Sequence, residues 1–526
     1  MDCGPHDERI VRSSPGSIIK SGMEWAGARP ALTIALTALS LYLSTPTANY
    51  YWDGLAFASQ IEDTAKHLRP ASLLLHQNHL MYNLVGYVLY EGARVMCLRM
   101  RCLYVLQLAS AVCGSIGVGL FLRITESISG SRRLAVIAAA SLGVSTCWWR
   151  AATDADAYMV SATLVLVCAD IMLKRQPRWY WAGAVLAGAM LVHELAVLFF
   201  PAVLVLVAMS DAIEDKLKFA VKLSLTAWGI TVLAYYICGA AVLGITNPVG
   251  TIEWAATNPN GVALSNPLET LWTFPKYQFD LILGHSLRAF FRFGGPAETG
   301  LAITGIAAAS LSGWFAIRSG RAAAEMPVSG RGRKERFAVG LILAWSLPYS
   351  LFLLIWEPYL LHYRVYYVPP IVLGLALGFA RSRFKAKNSL FGAAAIAVAA
   401  LGLLNLAFFI GPFMHEASDP LVAAARAANS KWNERTVIYS AGPSVVDGAF
   451  RYFNAGAEWR GVSLKVIRRL DPEIESIRAR GGSVWINDAT IKLIEPGWLT
   501  EHGRGQEMTI RLGNECYRYL ELLPAN

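Results

Sequence analysis

The sequence has 526 residues, 55 % of them hydrophobic and only 16 % charged, with a mean hydropathy of +0.41. A soluble protein of this length would carry nearer a quarter charged residues, so a water-soluble globule is excluded and a polytopic membrane protein is expected. The net charge is +10, but the basic residues cluster beside apolar segments, which argues for membrane orientation and against a nucleic-acid partner.

Residues 1–29 are polar and mixed in charge and lack the short apolar core and small-residue cleavage site of a signal peptide. They read as a cytoplasmic tail, and Ala31–Ser44 with its flanks as a retained first span. The stretch Asn49–Arg94 follows at once. It opens with Tyr50-Tyr51-Trp52-Asp53, aromatics that favour the membrane–water interface, and continues through an amphipathic run carrying Glu62 and Asp63. It reaches a polar knot, His76-Gln77-Asn78-His79, and ends in an apolar helical run, Leu80–Tyr90.

Further spans are expected near Cys102–Leu122, Leu134–Trp149, Ala157–Leu173, Trp179–Val192, Leu195–Met209, Phe219–Leu243, Gly300–Ile317, Phe337–Trp356, Tyr363–Ala380 and Leu390–Ile410. With the first they make about eleven helices of roughly spanning length. The connections Arg123–Arg133, Lys174–Arg178, Lys216–Lys222, Arg318–Arg336 and Arg381–Lys387 are all basic. They share the cytoplasmic side with the N-terminal tail if Leu80–Val95 is a juxtamembrane helix on the outer surface. The outer side then holds a first loop at 49–101, Arg150–Asp156, His193-Glu194, a second long loop at 245–299, Glu357–His362 and residues 412–526. Within that tail, Thr436–Ser440 and Ser483–Ile486 read as buried strands and Asp471–Arg480 as a helix ending at Gly481-Gly482. The expected fold class is an all-α polytopic membrane domain over 30–411 with a small C-terminal α/β extracytoplasmic domain. The cysteines include no CxxC pair, so no disulfide framework or zinc site is expected.

Ionisable residues gather at the outer ends of spans. Asp53 follows the first; Asp154 and Asp156 lie between the third and fourth; His193 and Glu194 between the fifth and sixth; Glu357, His362 and Arg364 between the ninth and tenth. Singly, each has a structural explanation: a helix cap for Asp154 or Asp156, snorkelling for Arg364, an interhelical hydrogen bond for His193. Four such connections on one side, rich in aromatics, point to a common cavity, because charge held in a membrane marks function. Phe279–Phe293 reads as one interfacial helix whose His285, Arg288 and Arg292 share a face. Two arginines there suit a lipid-linked phosphate or anionic headgroups. His76 and His79 are candidate ligands for a divalent metal, although they have no carboxylate close in sequence.

The order of a first span, an outer Asp, a loop with juxtamembrane helices, a second outer Asp connection and a soluble tail resembles the GT-C membrane glycosyltransferases. It resembles especially the family-39 type of protein O-mannosyltransferases and lipid A aminoarabinose transferases. The segments that carry it are Tyr51–Gly54, His76–Tyr90, Gly130–Arg133, Trp148–Tyr158, Gly188–Val197, Trp356-Glu357-Pro358 and Tyr363-Arg364. The resemblance covers most of Ala31–Pro412. It implies a hexosyl- or pentosyltransferase that inverts, with a sugar on polyprenyl phosphate as donor and an extracytoplasmic glycan, lipid or protein as acceptor. It also implies a bacterial plasma membrane with the active site on its outer face.

For Asp53 the resemblance implies the role of base or orienter at the acceptor, and for either Asp154 or Asp156 that of the second acid. His76, His79, His193, Glu194, Arg288, Arg292, Glu357, His362 and Arg364 are the candidate substrate-binding residues. Gly54 stands where some relatives carry a second acid and would leave room for the acceptor. The knot His76–His79 stands where relatives often carry Glu before Lys-Pro. Two other classes remain: a transporter or flippase of a lipid-linked sugar, which needs polar residues or broken helices at mid-membrane, and a non-catalytic envelope assembly protein.

Overall fold

The computed structural model describes residues 29–523 except 69, 257–265, 285, 322–331, 357–359, 382–387, 430, 442–444, 454–455, 463–469, 494–497, 499–502 and 513–514. The first described helix is Pro30–Ser44 (α1), which opens on a proline where the missing N–H costs nothing. The first loop holds Trp52–Ala65 (α2), two 3₁₀ turns at Ala71–Leu74 and Gln77–His79, and Tyr82–Val95 (α3). The helices Cys102–Ser129 (α4), Arg132–Val144 (α5), Thr146–Ala152 (α6), Ala157–Met172 (α7), Trp179–Val192 (α8), Phe200–Met209 (α9) and Lys216–Leu243 (α10) follow. The second loop carries Pro248–Ala256 (α11), Pro267–Ile282 (α12) and Leu287–Phe293 (α13). Pro296–Arg321 (α14), Arg333–Ile355 (α15), Val368–Arg381 (α16) and Asn388–Asn405 (α17) complete the bundle.

Among the described residues, α4, α10, Glu335–Ile355 and Phe391–Phe413 are long and apolar enough to cross a membrane, and α5 with α6 passes as one pair bent by 63°. Pro30–Ser44, Ala157–Met172, Trp179–Val192, Glu194–Met209 and Val368–Phe379 are apolar but shorter. This is a helical integral membrane protein. Helix α4 is its centre: α1, α5 and α7 pack along it, and the core between them is apolar and buried. The expected unbroken run Leu134–Trp149 breaks at Ser145, whose hydroxyl donates to the Leu142 carbonyl at 2.7 Å and whose backbone turns extended. A serine bonded back to its own helix competes with helix continuation.

The expected single helix Phe279–Phe293 is also two. Helix α12 ends at Ile282 and α13 begins at Leu287, with Ser286 accepting from the Ala289 amide. The cause is a buried amide. Asn405 Oδ1 accepts from the Thr146 hydroxyl and the Gly284 amide, each at 3.0 Å, and its Nδ2 donates to the Val144 and Ile282 carbonyls, each at 2.7 Å. One side chain thus ties the α5–α6 bend to the α12–α13 break. A Cβ at Gly284 would stand 2.7 Å from Thr146 and 2.8 Å from Phe409, so only glycine fits there.

Beyond the bundle come Pro420–Ala428 (α18), Thr436–Ser440 (β1), Val445–Phe453 (α19), Glu458–Gly461 (β2), Asp471–Ala479 (α20), Ser483–Asn487 (β3), Asp488–Leu493 (α21), Gly503–Leu512 (β4) and Glu515–Leu523 (β5). The sheet order is β2-β1-β3-β5-β4. Strands β2, β1 and β3 run parallel, β5 is antiparallel to β3, and β4 is antiparallel to β5. Val437 pairs with Val484 and Ile438 with Trp485. Strand side chains alternate between faces. Val437, Tyr439, Val484 and Ile486 therefore meet Ile474 and Ile477 of α20, while Ile438, Trp485 and Tyr519 face the other way. There they join one apolar cluster with Phe450 and Phe453 of α19 and Leu55, Phe57 and Ile61 of α2. The sheet is thereby packed onto the first loop.

Candidate functional site

The site forms where the connections after α1 and α6 meet the turn before α16. Gln107, buried in α4, donates to the Thr47 and Thr153 carbonyls, each at 2.9 Å, and so lays the two connections side by side. Helix α6 is anchored by Trp148, whose indole donates to the Gly114 carbonyl at 3.1 Å. That anchoring directs Arg150 toward the first connection, where its guanidinium reaches the Asn49 carbonyl and Asp154 Oδ2, the latter at 3.1 Å.

Asp154 and Asp156 are both buried, and their surroundings differ. Asp154 Oδ1 accepts from the Ala155 amide at 2.8 Å and Oδ2 from the Tyr51 amide at 3.0 Å, besides the Arg150 ion pair. Burial raises its pKa, but Arg150, His362 and the Tyr51 amide outweigh burial and hold the carboxyl below its ordinary value. Asp156 Oδ1 caps α7 by accepting from the Tyr158 amide at 3.0 Å, as a helix N-cap should. Its Oδ2 is buried without a hydrogen-bond partner among the described residues. Burial and then the charge of Asp154 push its pKa well up.

His362 sits between the two acids. Its Nε2 lies 3.8 Å from Asp154 Oδ2 and 3.7 Å from Asp156 Oδ2, both beyond hydrogen-bond reach. Neither ring nitrogen has a partner among the described residues. The ring stacks on Tyr51 with centroids 4.0 Å apart. Asp53 is half-buried in the first turn of α2, and its charge acts on both Tyr51 and Asp156. The structure therefore brings Asp53, Asp154, Asp156 and His362 into one cluster. Gly54 corrects the sequence expectation: it is buried, and a Cβ there would stand 2.4 Å from the Ala155 carbonyl oxygen. This glycine lets α2 close onto the acidic connection and opens no space for an acceptor.

A second group adjoins the first. The His79 ring lies 4.5 Å from His193 and 5.4 Å from His76, and Tyr158 lies 4.1 Å from His193. The Nδ1 atoms of two of them serve local turns, His76 accepting from the Asn78 amide at 3.3 Å and His193 from the Leu195 amide at 3.1 Å, whereas His79 Nδ1 has no hydrogen-bond partner among the described residues. Burial pulls all three imidazoles down, His79 to about 3. Among the described residues no group of three His, Cys, Asp or Glu side chains is arranged to hold a metal ion. Glu194 is exposed.

Arg364 is the third feature. It is 0 % exposed, and its Nε and both terminal nitrogens lack hydrogen-bond partners among the described residues. Its guanidinium lies over the Tyr277 ring at 4.9 Å, and Tyr367 beside it receives the Gln278 amide at 3.0 Å. Burial pulls its pKa down. Arg288 and Arg292 are exposed on α13, with Arg292 over Phe293 at 5.1 Å. His285 and Glu357 lie outside the described residues. Sequence reasoning gave no role to Arg150, Gln107 or Asn405. Polar side chains inside apolar spans are the signal that finds the last two.

The chain is similar in structure to ArnT from Cupriavidus metallidurans bound to undecaprenyl phosphate, at 15 % identity and a TM-score of 0.56 over 97 % of this chain and 98 % of that one. It is similar also to the same protein in the apo state, at 14 % identity and a TM-score of 0.56 over 95 % of this chain and 98 % of that one. No protein-family model and no curated protein matches the sequence. The fold is that of ArnT.

Proposed function

We propose that this protein is a membrane glycosyltransferase that moves a sugar from a polyprenyl-phosphate carrier to an acceptor outside the cytoplasm, inverting the anomeric carbon. The observation that carries the reading is Arg364, a fully buried guanidinium whose three nitrogens have no hydrogen-bond partner among the described residues, in a fold shared with a protein bound to undecaprenyl phosphate. A buried cation without a partner is costly, and guanidinium binds phosphate bidentately. In this reading Arg364 receives the phosphate as it leaves. Asp53 takes the proton of the acceptor hydroxyl, the hydroxyl oxygen bonds to the anomeric carbon, and the carbon–phosphate-oxygen bond breaks with its electron pair going to the phosphate. Asp154 orders the connection, while Asp156, His362, His193, His79 and His76 line the acceptor side. Glu194 and Glu357 border it, and Arg288 and Arg292 meet the carrier at the bilayer surface.

The membrane layout proposed with it has residues 1–29 inside, about eleven helices of spanning length over 30–411, and residues 412–526 outside a bacterial plasma membrane. Undecaprenyl phosphate in vesicles should bind the protein and lose about tenfold or more in affinity for Arg364→Ala, since a hydrogen bond to a charged group contributes roughly 1.5–3 kcal/mol. Mass spectrometry of envelope glycans with and without the protein would name the sugar. Asp53→Asn should lower turnover by about 10²–10⁴-fold with donor affinity kept. A flippase would bind the same lipid and tolerate Asp53→Asn. Absence of lipid binding together with unchanged glycans would overturn the reading.

A further inference from the structure

Three consecutive residues at the end of α19 hold both ends of α2, the helix that carries Asp53 in its first turn. Phe453 stacks on Tyr50, just before α2, with ring centroids 6.0 Å apart and planes inclined by 26°. At the far end of α2, Arg451 pairs with Asp63. Between them Tyr452 reaches Glu62, which is 3 % exposed. Glu62 Oε1 accepts from the Tyr452 hydroxyl at 2.9 Å, from the Cys102 amide at 2.9 Å and from Arg101 Nε at 2.8 Å. Arg101 also donates to the Tyr452 carbonyl at 2.9 Å and lies over the Tyr452 ring at 3.9 Å. The Leu103 amide donates to the Tyr452 hydroxyl at 3.1 Å.

The same helix α19 is rooted in the sheet. Asp447 accepts from Ser440 and Asn487, each at 2.8 Å, and from the Tyr519 hydroxyl at 2.7 Å. A rigid path of side chains therefore runs from the sheet through α19 to both ends of α2, and α2 carries Asp53 in its first turn.

We infer that the C-terminal sheet is a positioning element for Asp53, and that Tyr452, with Glu62 as its receiver, sets where α2 presents that carboxylate. The inference rests on the reading of Asp53 as the base. Several features support it over simple packing. A carboxylate hub with four donated hydrogen bonds, two of them charge-assisted from Arg101 Nε, is stiff, and it stands on the helix that bears the proposed catalytic group. The grip at two ends of one helix fixes both its axial position and its rotation. A displacement of about 1 Å at a reacting group costs about 10²-fold in rate.

The test uses the full-length protein in vesicles, with the transfer assay normalised to folded protein. Tyr452→Phe should lower kcat by about 10- to 100-fold and leave the donor KM unchanged. Glu62→Gln, which keeps an acceptor oxygen for Tyr452 and the Cys102 amide, should retain more activity than Glu62→Leu. In an Asp53→Asn background Tyr452→Phe should have no further effect on kcat, because its effect passes through Asp53. If Tyr452→Phe keeps kcat within about twofold, or lowers it undiminished in the Asp53→Asn background, the positioning role falls while the base reading stands. If Asp53→Asn alone keeps full activity, the base reading falls first, whatever Tyr452 does. Should Glu62→Leu fail to fold, Tyr452→Phe and Phe453→Leu still decide the matter.

Discussion

Asp156 and Asp447 are both buried carboxylates, 1 % and 6 % exposed, and they sit in opposite kinds of surroundings. Asp447, between the sheet and α19, accepts from two side-chain donors on one oxygen and one on the other. Asp156, at the membrane-edge cluster, satisfies one oxygen by capping α7 and leaves the other without a partner among the described residues. The cations repeat the contrast. Arg101 shares its Nε–H between both Glu62 oxygens and lies over Tyr452, whereas the three nitrogens of Arg364 have no hydrogen-bond partner among the described residues. A saturated buried network specifies and stiffens the fold. An unsaturated one is destabilising, and native structures keep such groups where something else needs them.

That contrast is broken most forcefully at Asp447. Asp447→Ala removes a hydrogen-bond acceptor of Ser440, Asn487 and the Tyr519 hydroxyl, while Asn487 still donates to Ser440 Oγ at 2.8 Å. Each such loss costs about 1–3 kcal/mol, so the C-terminal sheet should lose about 3 kcal/mol or more, read from chemical unfolding followed by tryptophan fluorescence. Asp156→Asn keeps the oxygen that caps α7 and should cost less than about 1 kcal/mol. Equal losses at the two positions would show that the open oxygen of Asp156 is architectural after all.

Arg364→Met sharpens the comparison from the other side. Replacing buried charge by apolar side chains of similar size is often neutral or stabilising, by about 1–4 kcal/mol for buried ion pairs, and the guanidinium of Arg364 has no hydrogen-bond partner among the described residues. The variant should therefore unfold at a higher temperature while binding undecaprenyl phosphate more weakly. A variant that is both less stable and unchanged in lipid binding would make Arg364 a structural cation.

Much of this was legible in the sequence, and what escaped has a common cause. Strand β1 and the acid-bearing connections lie where hydrophobic patterning puts them, because those signals are local. The choice between Asp154 and Asp156 is not local. It depends on Arg150 and on the Tyr51 amide, which only the packing of α1 and α6 on α4 brings near. The break between α12 and α13 needs Asn405, and the burial of Gly54 needs Ala155. A residue read within its own segment gives no hint of a partner a hundred positions away.

Acid should act on the unsaturated region more than on the sheet. Burial lowers the folded pKa of His76, His79, His193 and His362. The unfolded chain takes up these protons near pH 6.5 and the folded chain does not, so their contribution to stability is complete above about pH 6.5 and lost as pH falls below it. Each histidine contributes a slope of up to about 1.4 kcal/mol per pH unit. Asp156, raised by burial and Asp154, opposes this, because its folded form holds a proton at a pH where the unfolded carboxyl has lost it. Thermal unfolding between pH 7 and 5 should show the downward trend, and His193→Phe should flatten it by one histidine's slope. A profile that stays flat over that range would show that these imidazoles protonate in place.

The smallest effects belong to α13, where Arg288 and Arg292 are exposed cations. They stand against Arg364 as surface charge against buried charge. A basic residue near an anionic membrane surface contributes about 1 kcal/mol, and the attraction fades within a Debye length. Arg288→Ala and Arg292→Ala should each weaken capture of undecaprenyl phosphate by no more than about fivefold, and the loss should shrink as salt is raised. The loss at Arg364 should persist in salt, because screening scarcely reaches a buried ion. If Arg292→Ala instead matches Arg364→Ala in size and resists salt, the phosphate is gripped from α13 at the surface, and the open nitrogens of Arg364 need another ligand.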